Sequence, residues 1–412
     1  MKLSVLFIVL FFTVLLFSTC EKSEDLIEAP VFIQLNEKSK NLVGSANTFG
    51  IELFRKLNSS NKTSGENAMI SPLSISMALA MTYNGSDGET KKAIENVLNL
   101  KGLTVDEINI NNKQVSDALQ NIDSQVEFSI ANSIWYRNSF SVLQDFISVN
   151  QEFYNTEVNS LNFDDPLAKN TINSWVANHT NNKIEKIIDE ILPEDVMYLI
   201  NAIYFKGIWK YEFDASKNID RGFTLSNRTF TQVEMMVQTA SLKYLSNEDV
   251  RMVELPYGQG NWAMELVMPA TDKNIDQLIS ELTDEGWATW INSLSEPTEI
   301  TIALPPFKFE FEQELNDVLS SMGMAIAFNP NSADFSKINN DYQLYISKIK
   351  HKTFIEVDEK GTEAAAVTSV EVGTTSIGNP KNIVFDKPFL FAIREVSTGI
   401  ILFIGKVENP VR

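Results

Sequence analysis

Apolar residues recur at three- and four-residue spacing across residues 41–57, where Leu42, Ala46, Phe49, Leu53 and Leu57 share one face, so the pattern predicts an amphipathic helix. After a polar stretch, Ser71 stands as a helix N-cap with Pro72 at the first helical position. The helix it opens carries Ile75, Met77, Ala78, Leu79, Ala80 and Met81 nearly all round and stops at Asn84 and Gly85, which predicts a buried central helix. Further helical patterns cover residues 89–98, 106–121, 143–154, 167–179, 275–282, 286–293 and 312–322. The period falls to two at Val126, Phe128 and Ile130, a strand running into Trp135. Residues 198–209 are almost continuously apolar, as expected of a strand covered on both faces. Residues 250–257 and 262–269 read as a hairpin joined through Gly258, Gln259 and Gly260, followed by strands at 298–304 and 307–311. A long strand is expected over 342–357, and a final apolar hairpin over 383–396 and 400–408, turned at Ser397, Thr398 and Gly399. No internal repeat, low-complexity tract or linker follows residue 40, so residues 41–412 read as one mixed α+β domain.

One stretch departs from this regularity. From Glu356 to Ile377 small residues dominate, and no proline appears before Pro380. An acidic turn (Asp358, Glu359, Lys360, Gly361) opens it. With the two-residue period of a strand, one face then carries Thr362, Ala364, Ala366, Thr368, Val370, Val372 and Thr374. The other face takes both charges, Glu363 and Glu371, with Ala365, Val367, Ser369 and Gly373. The segment is thus written as an inner strand with one uncharged face, yet it ends in Gly373–Pro380, which is loop chemistry. An ordinary loop with a short helical alanine patch reads equally well from the pattern alone.

Acids outnumber Lys and Arg by 54 to 34, for a formal charge of −20, which argues against an electrostatic footprint for nucleic acid or heparin-like polyanions. At the N-terminus Lys2 precedes an apolar run from Leu3 to Phe17, too short for a comfortable membrane span. The run closes at Ser18, Thr19 and Cys20, and Cys20 is the only cysteine. This resembles a bacterial lipoprotein signal over residues 1–19, with Cys20 acylated after cleavage, although Phe17 and Thr19 depart from that motif. An ordinary secretory signal is the alternative. Either way no intramolecular disulfide can form. The expected location is a bacterial envelope or cell surface, with membrane contact through the lipid, or secretion. Residues 20–40 read as an acidic tether.

Catalytic chemistry is poorly provided for. Only His179 and His351 occur, and no nucleophile elbow, zinc-protease helix, paired-cysteine motif or phosphate-binding glycine loop is present. His179 lies at a polar helix end, where serving the helix terminus is the expected role. His351 lies among Lys348, Lys350 and Lys352 with no acid placed to orient it. The paired carboxylates fit a solvated surface, so neither an enzyme, a metal site nor a cofactor is expected.

Seven motifs in order resemble the serpin family across about residues 41–412. They are Asn67 with Ser71-Pro72-Leu73-Ser74-Ile75, then Ala131-Asn132-Ser133-Ile134-Trp135, then Asn201-Ala202-Ile203-Tyr204-Phe205-Lys206-Gly207. Val253-Glu254-Leu255-Pro256-Tyr257, Ala333-Asp334-Phe335-Ser336 and the hinge Asp358-Glu359-Lys360-Gly361-Thr362-Glu363-Ala364-Ala365-Ala366 follow. Phe385-Asp386-Lys387-Pro388-Phe389, with Gly405-Lys406-Val407 and Asn409-Pro410 beyond it, closes the set. The resemblance implies a serpin fold of three β-sheets and about nine helices, with an exposed reactive-centre loop. It implies an inhibitor of serine proteases acting as a suicide trap: the loop is cleaved, an acyl-enzyme forms, and the freed segment inserts into the large sheet. Ladder bonds on both edges of about a dozen residues, each worth roughly 0.5–1.5 kcal/mol net, would drive insertion by something on the order of ten kcal/mol.

Carried over residue by residue, the resemblance makes Glu359, Gly361, Thr362, Glu363, Ala364, Ala365 and Ala366 the hinge, with Thr362 entering first. It sets the attacked bond at Thr375–Ser376, with Thr374 as an alternative. Ser71, Ser74, Asn201 and His351 match the polar cluster beneath the sheet's opening, either as a switching group or as static core satisfaction. Pro306 stands where many relatives carry a basic partner for Glu359, leaving Lys308 as the substitute. The absence of Lys and Arg from the loop points to elastase-like or subtilisin-like targets, with cysteine proteases secondary. The expected partner is thus a protease held in a covalent complex by a monomer, with no polyanion activator. A non-inhibitory carrier, chaperone or surface-binding serpin is the rival, and an adhesin-like lipoprotein a more distant one.

Overall fold

The computed structural model describes residues 30–60, 63–270, 273–362 and 381–411, and over these the chain forms nine α-helices and fifteen strands. The helices are α1 (Glu37–Ser59), α2 (Pro72–Tyr83), α3 (Gly88–Val97), α4 (Val105–Leu119), α5 (Gln144–Tyr154), α6 (Ala168–His179), α7 (Ile275–Glu281), α8 (Asp284–Asn292) and α9 (Asn316–Leu319). The strands are β1 (Ala68–Ile70), β2 (Val126–Arg137), β3 (Thr156–Leu161), β4 (Met197–Ile208), β5 (Ile219–Thr224), β6 (Phe230–Ser246), β7 (Val250–Tyr257) and β8 (Trp262–Pro269). Then follow β9 (Thr298–Leu304), β10 (Phe307–Glu314), β11 (Lys350–Val357), β12 (Gly361–Thr362), β13 (Lys381–Val384), β14 (Phe389–Glu395) and β15 (Ile401–Val407).

A large sheet has the order β10-β11-β12-β4-β2-β3. The other strands join through β6, which pairs with β5 and β9 along its first part and with β7 from Lys243 onward. That change of partner divides them into a sheet of β5, β6, β9 and β13 and a sheet running β6-β7-β8-β14-β15-β1, which makes three sheets with nine helices, an α+β fold. The inner face of the large sheet (Ile203, Phe205, Ile355, Val357) packs on Val253, Leu255, Met264, Leu266 and Phe391 of the β7-β8-β14 layer. Its outer face is covered by α6, where Trp175, Ile172 and Val176 meet Trp135, Ile200 and Ala202.

The capping signals hold in space. Ser71 accepts from the Ser74 amide and Pro72 fills the first turn of α2, which buries all but two of its twelve residues as a central helix must. His179 closes α6 with Nδ1 2.8 Å from the Trp175 carbonyl and its ring 4.1 Å from the Trp175 ring.

Several boundaries differ from expectation. The strand expected over 342–357 begins only at Lys350, because its neighbour β10 ends at Glu314. Residues 343–349 instead direct polar groups to α9 and its surroundings: Ile349 accepts from the Leu315 amide, and Ile346 donates to the Ala327 carbonyl. The helix expected over 312–322 starts only at Asn316, since Glu312, Gln313 and Glu314 complete β10 by pairing with β11; beyond α9 the chain stays helical as a wider turn over Ser320–Met324. The expected hairpin arm over 383–396 is two strands, β13 parallel to β9 and β14 between β15 and β8. The tether expected over residues 20–40 is cut short, because residues 30–36 already lie on the domain and α1 starts at Glu37. There Val31 donates to Asn261 Oδ1 (3.3 Å) and accepts from its Nδ2 (2.6 Å), and Ile33 donates to Ser397 Oγ (3.1 Å).

The β7-β8-β14 layer also buries charge. Arg394 lies 2.6 Å from Glu254 and 2.7 Å from Glu265, and burial pushes the Glu265 carboxyl up to about 8 against the pull of the guanidinium. Removing one member of such a group leaves the others uncompensated in a low dielectric. Arg394→Met is therefore expected to cost about 3–5 kcal/mol, read as a lowered guanidinium unfolding midpoint. An unchanged midpoint would contradict the buried pairing.

Candidate functional site

Both β4 and β11 pair antiparallel with β12, so they run parallel to each other with the two-residue β12 between them. The outer edge of β11 is taken by β10 and that of β4 by β2. Below Gly207 and Val357, no strand among the described residues pairs with the two edges that face each other. The resulting slot is lined by Met69, Ser71, Asn201, Ile203, His351 and Thr353, with Thr362 at its head.

The head is built by the turn that precedes β12. Asp358 Oδ1 accepts from the Lys360 and Gly361 amides at 2.9 and 3.1 Å, and the Asp358 amide donates to the Gly361 carbonyl at 3.0 Å. Trp209 grips the turn twice, its indole donating to the Asp358 carbonyl (2.9 Å) and its amide to the Lys360 carbonyl (2.8 Å). The indole stacks on Tyr257 at 4.4 Å, and the Tyr257 hydroxyl lies 2.6 Å from Thr362 Oγ1. Thr362 is thus buried and points inward. Gly361 must be glycine: a Cβ there would sit 2.0 Å from the Gly207 carbonyl oxygen, so only a bare backbone can approach β4 this closely.

Glu359 is latched by groups that spacing alone did not reveal. Its carboxylate accepts from Asn218 Nδ2 at 2.7 Å and its carbonyl from the Phe213 amide at 2.8 Å. Lys308, the expected substitute, pairs with Glu356 at 3.1 Å instead. The reason is strand parity: Lys308 stands directly opposite Glu356 in the β10–β11 ladder.

Lower in the slot, the Ser71 amide donates to His351 Nε2 at 3.0 Å, so the imidazole proton sits on Nδ1. The ring is buried, and desolvation pulls its pKa down to about 3. Thr353 Oγ1 caps the Met69 carbonyl at 2.9 Å. Asn201 lines the same slot but donates sideways to Asn132 Oδ1 (2.6 Å), and Asn132 in turn donates to the Tyr154 carbonyl (2.7 Å). The buried Asn201 Oδ1 has no hydrogen-bond partner among the described residues. The structure therefore joins Ser71 to both Ser74 and His351, and brings Asn201 beside them without a direct bond. Glu363, Ala364, Ala365, Ala366, Thr374, Thr375, Ser376 and Cys20 lie outside the described residues.

A neutral buried imidazole makes stability depend on pH. Between its ordinary value near 6.5 and about 3, the unfolded chain binds a proton that the folded chain excludes, so stability falls as pH drops through that window and is unaffected above it. His351→Asn should flatten the decline between pH 6.5 and 5 by up to about 2 kcal/mol, measured as urea midpoints at several pH values. An identical pH slope in variant and wild type would contradict this assignment.

Comparison with known proteins agrees with the geometry. A family model described as Serpin (serine protease inhibitor) matches residues 44–410. A serpin-like protein of Methanosarcina acetivorans is 35% identical over 370 residues, covering 88% of this chain and 85% of its own. The leukocyte elastase inhibitor of Xenopus tropicalis is 33% identical over 381 residues, covering 90% of this chain and 100% of its own. Among solved structures, the thermophilic serpin tengpin in its native state superposes with a TM-score of 0.82 at 35% identity, covering 93% of this chain and 97% of that one. The chain belongs to the serpin family.

Proposed function

We propose that this serpin is an inhibitor rather than an enzyme, and that it traps serine proteases by inserting its cleaved reactive loop into the large sheet. The observation that carries this reading is β12, in which Gly361 and Thr362 stand between β4 and β11, paired to both, with the Thr362 side chain turned inward. Extending that register one residue at a time would bring Thr368 opposite Asn201 on one side and His351 on the other. The entering strand would thus carry a hydroxyl to the level of a buried carbonyl oxygen that has no described partner. The inward positions that follow (Ala364, Ala366, Thr368, Val370, Val372) are uncharged, and an uncharged face is what a buried slot accepts at low cost.

The attacked bond in this reading is Thr375–Ser376, or its neighbour at Thr374, offered to elastase-like or subtilisin-like proteases. Similarity to a leukocyte elastase inhibitor supports that class. Cysteine proteases are secondary targets because they too pass through an acyl-enzyme. The inhibitor acts as an exported monomer, held at a bacterial envelope or surface by acylated Cys20.

Incubation with elastase, subtilisin and trypsin followed by denaturing electrophoresis tests the proposal. A detergent-stable complex with the first two is expected. Clean cleavage with every protease would overturn trapping and leave a carrier or binding role. Loop cleavage should also raise the melting temperature markedly. Thr362→Arg, which forces a charge against Tyr257, should abolish complexes while preserving cleavage; retained trapping would refute the inward role of Thr362.

A further inference from the structure

The segment that follows α6, residues 180–196, crosses the outer face of the slot without regular secondary structure. It is tied to α6: Asn173 Oδ1 accepts from the Ile187 and Ile188 amides at 2.9 Å each, Asn173 Nδ2 donates to the Ile188 carbonyl at 2.8 Å, and Thr180 Oγ1 accepts from the Ile184 amide at 3.1 Å. Through α6 the segment belongs to the β2–β4 side of the sheet, where Ile184 and Ile188 share a cluster with Trp175 and Ile200. Its charged side chains, however, reach the opposite bank. Asp189 lies 2.6 Å from Lys350 of β11. Lys183 lies 3.6 Å from Glu356 of β11 and 5.0 Å from the centre of the Phe354 ring.

We infer that residues 183–189 form an ionic clasp that bridges the two strands flanking the slot and slows entry of the cleaved loop. The inference rests on the insertion reading above and adds the element that sets its rate. Among the described residues, β4 and β11 are otherwise joined as sheet neighbours only through β12, so a connection fixed to one bank and paired to the other resists any change in their separation. Asp189 is held from both sides, by Lys186 and by Lys350 at 2.6 Å each, while Lys350 is also neutralised by Glu312 at 2.6 Å. Loss of Asp189 therefore removes one of the two ionic contacts of the clasp without leaving Lys350 unpaired.

The sequence of the loop fits such a crossing. In the register set by β12, the outward positions passing Phe354, Lys352 and Lys350 would be Ala365, Val367 and Ser369, all small and uncharged. Of the two charges, Glu363 would stand opposite Glu356, beside the cation of Lys183, and Glu371 would fall below the crossing, opposite Lys348. A strand of that composition can slide beneath the clasp with little steric or electrostatic hindrance.

The test uses the full-length protein nicked in its loop by excess thermolysin, a metalloprotease that forms no acyl-enzyme. Insertion is followed by tryptophan fluorescence, to which Trp135 of β2 and Trp175 of α6 contribute with their rings 6.5 Å apart, and confirmed by the gain in melting temperature. Asp189→Asn should speed insertion about two- to fivefold, the range expected for losing partly exposed ion pairs. Raising NaCl from 0.05 to 1 M should speed the wild type by a similar factor and speed Asp189→Asn less, since only the Lys183–Glu356 pair remains to be screened. Asp189→Glu, which keeps the charge, should restore the wild-type rate and its salt response. Insertion at one rate and one salt response in every variant overturns the clasp alone. Failure of every variant to gain thermal stability overturns the insertion reading and the clasp with it.

Discussion

Backbone amides and carbonyls in the interior of a sheet need partners on both edges, and this fold leaves that demand half met along two central strands. The outer edges of β4 and β11 are paired by β2 and β10, and their inner edges share β12 for only two residues. Most other features of the molecule serve to keep those edges apart, covered and accessible from one end. The β7-β8-β14 layer closes the slot from beneath and α6 covers it from above, so a new strand has its natural entry at the head, where β12 already begins. The grip of Trp209, Tyr257, Asn218 and Phe213 on the turn before β12 uses ordinary hydrogen bonds, each worth only about 1 kcal/mol net. Such contacts hold the turn in place without locking it.

The polar groups inside the slot follow the same logic. A neutral buried imidazole and a buried amide oxygen without a described partner both cost stability, the latter by about 1–3 kcal/mol. Cores that are simply optimised for stability remove such groups. Their position on β4 and β11 makes the cost local to the slot, where the hydroxyl of a segment inserted as proposed would offset it. The cost is therefore not spread evenly through the core, whose apolar clusters are densely buried. It is concentrated along one seam.

Much of this seam was legible in the sequence. Ser71 and Pro72 announced the central helix through cap chemistry, whereas the alternation expected beyond Thr362 falls outside the described residues. The motifs at Asn201 and Gly361 marked the two ends of the seam. What was not legible depends on cross-strand parity and on contacts distant in sequence. Whether Lys308 meets Glu359 or Glu356 is decided by a one-residue register in β10–β11, and a slip of one reverses the face. Asn218 lies in an unremarkable polar turn and becomes the partner of Glu359 only because the chain after Trp209 folds back over the hinge. Strands β3, β5 and β6 escaped notice because their apolar residues are sparse and their pairing is edge-like or switches partner midway. The shortened strand before His351 reflects the end of its neighbour, which local periodicity cannot foresee.

The docking of residues 30–36 bears on how an anchored inhibitor would work. Val31 binds Asn261 in the turn between β7 and β8, and that turn is fastened to the head of the slot by the Gly258 amide on the Ile208 carbonyl and by Lys210 Nζ on the Gln259 carbonyl. Ile208 is also the residue that faces Gly361 in the ladder. The chain therefore leaves the domain toward its N-terminus at the same end as the hinge. Nine residues lie between Cys20 and Pro30, so the ten steps from one to the other span at most about 35 Å when fully extended. With Cys20 acylated, the head of the slot would stay within that reach of the bilayer. An inhibitor so tethered would act beside the membrane surface, and the docked segment would pass part of any pull on the anchor to the turn that is fastened beside β12.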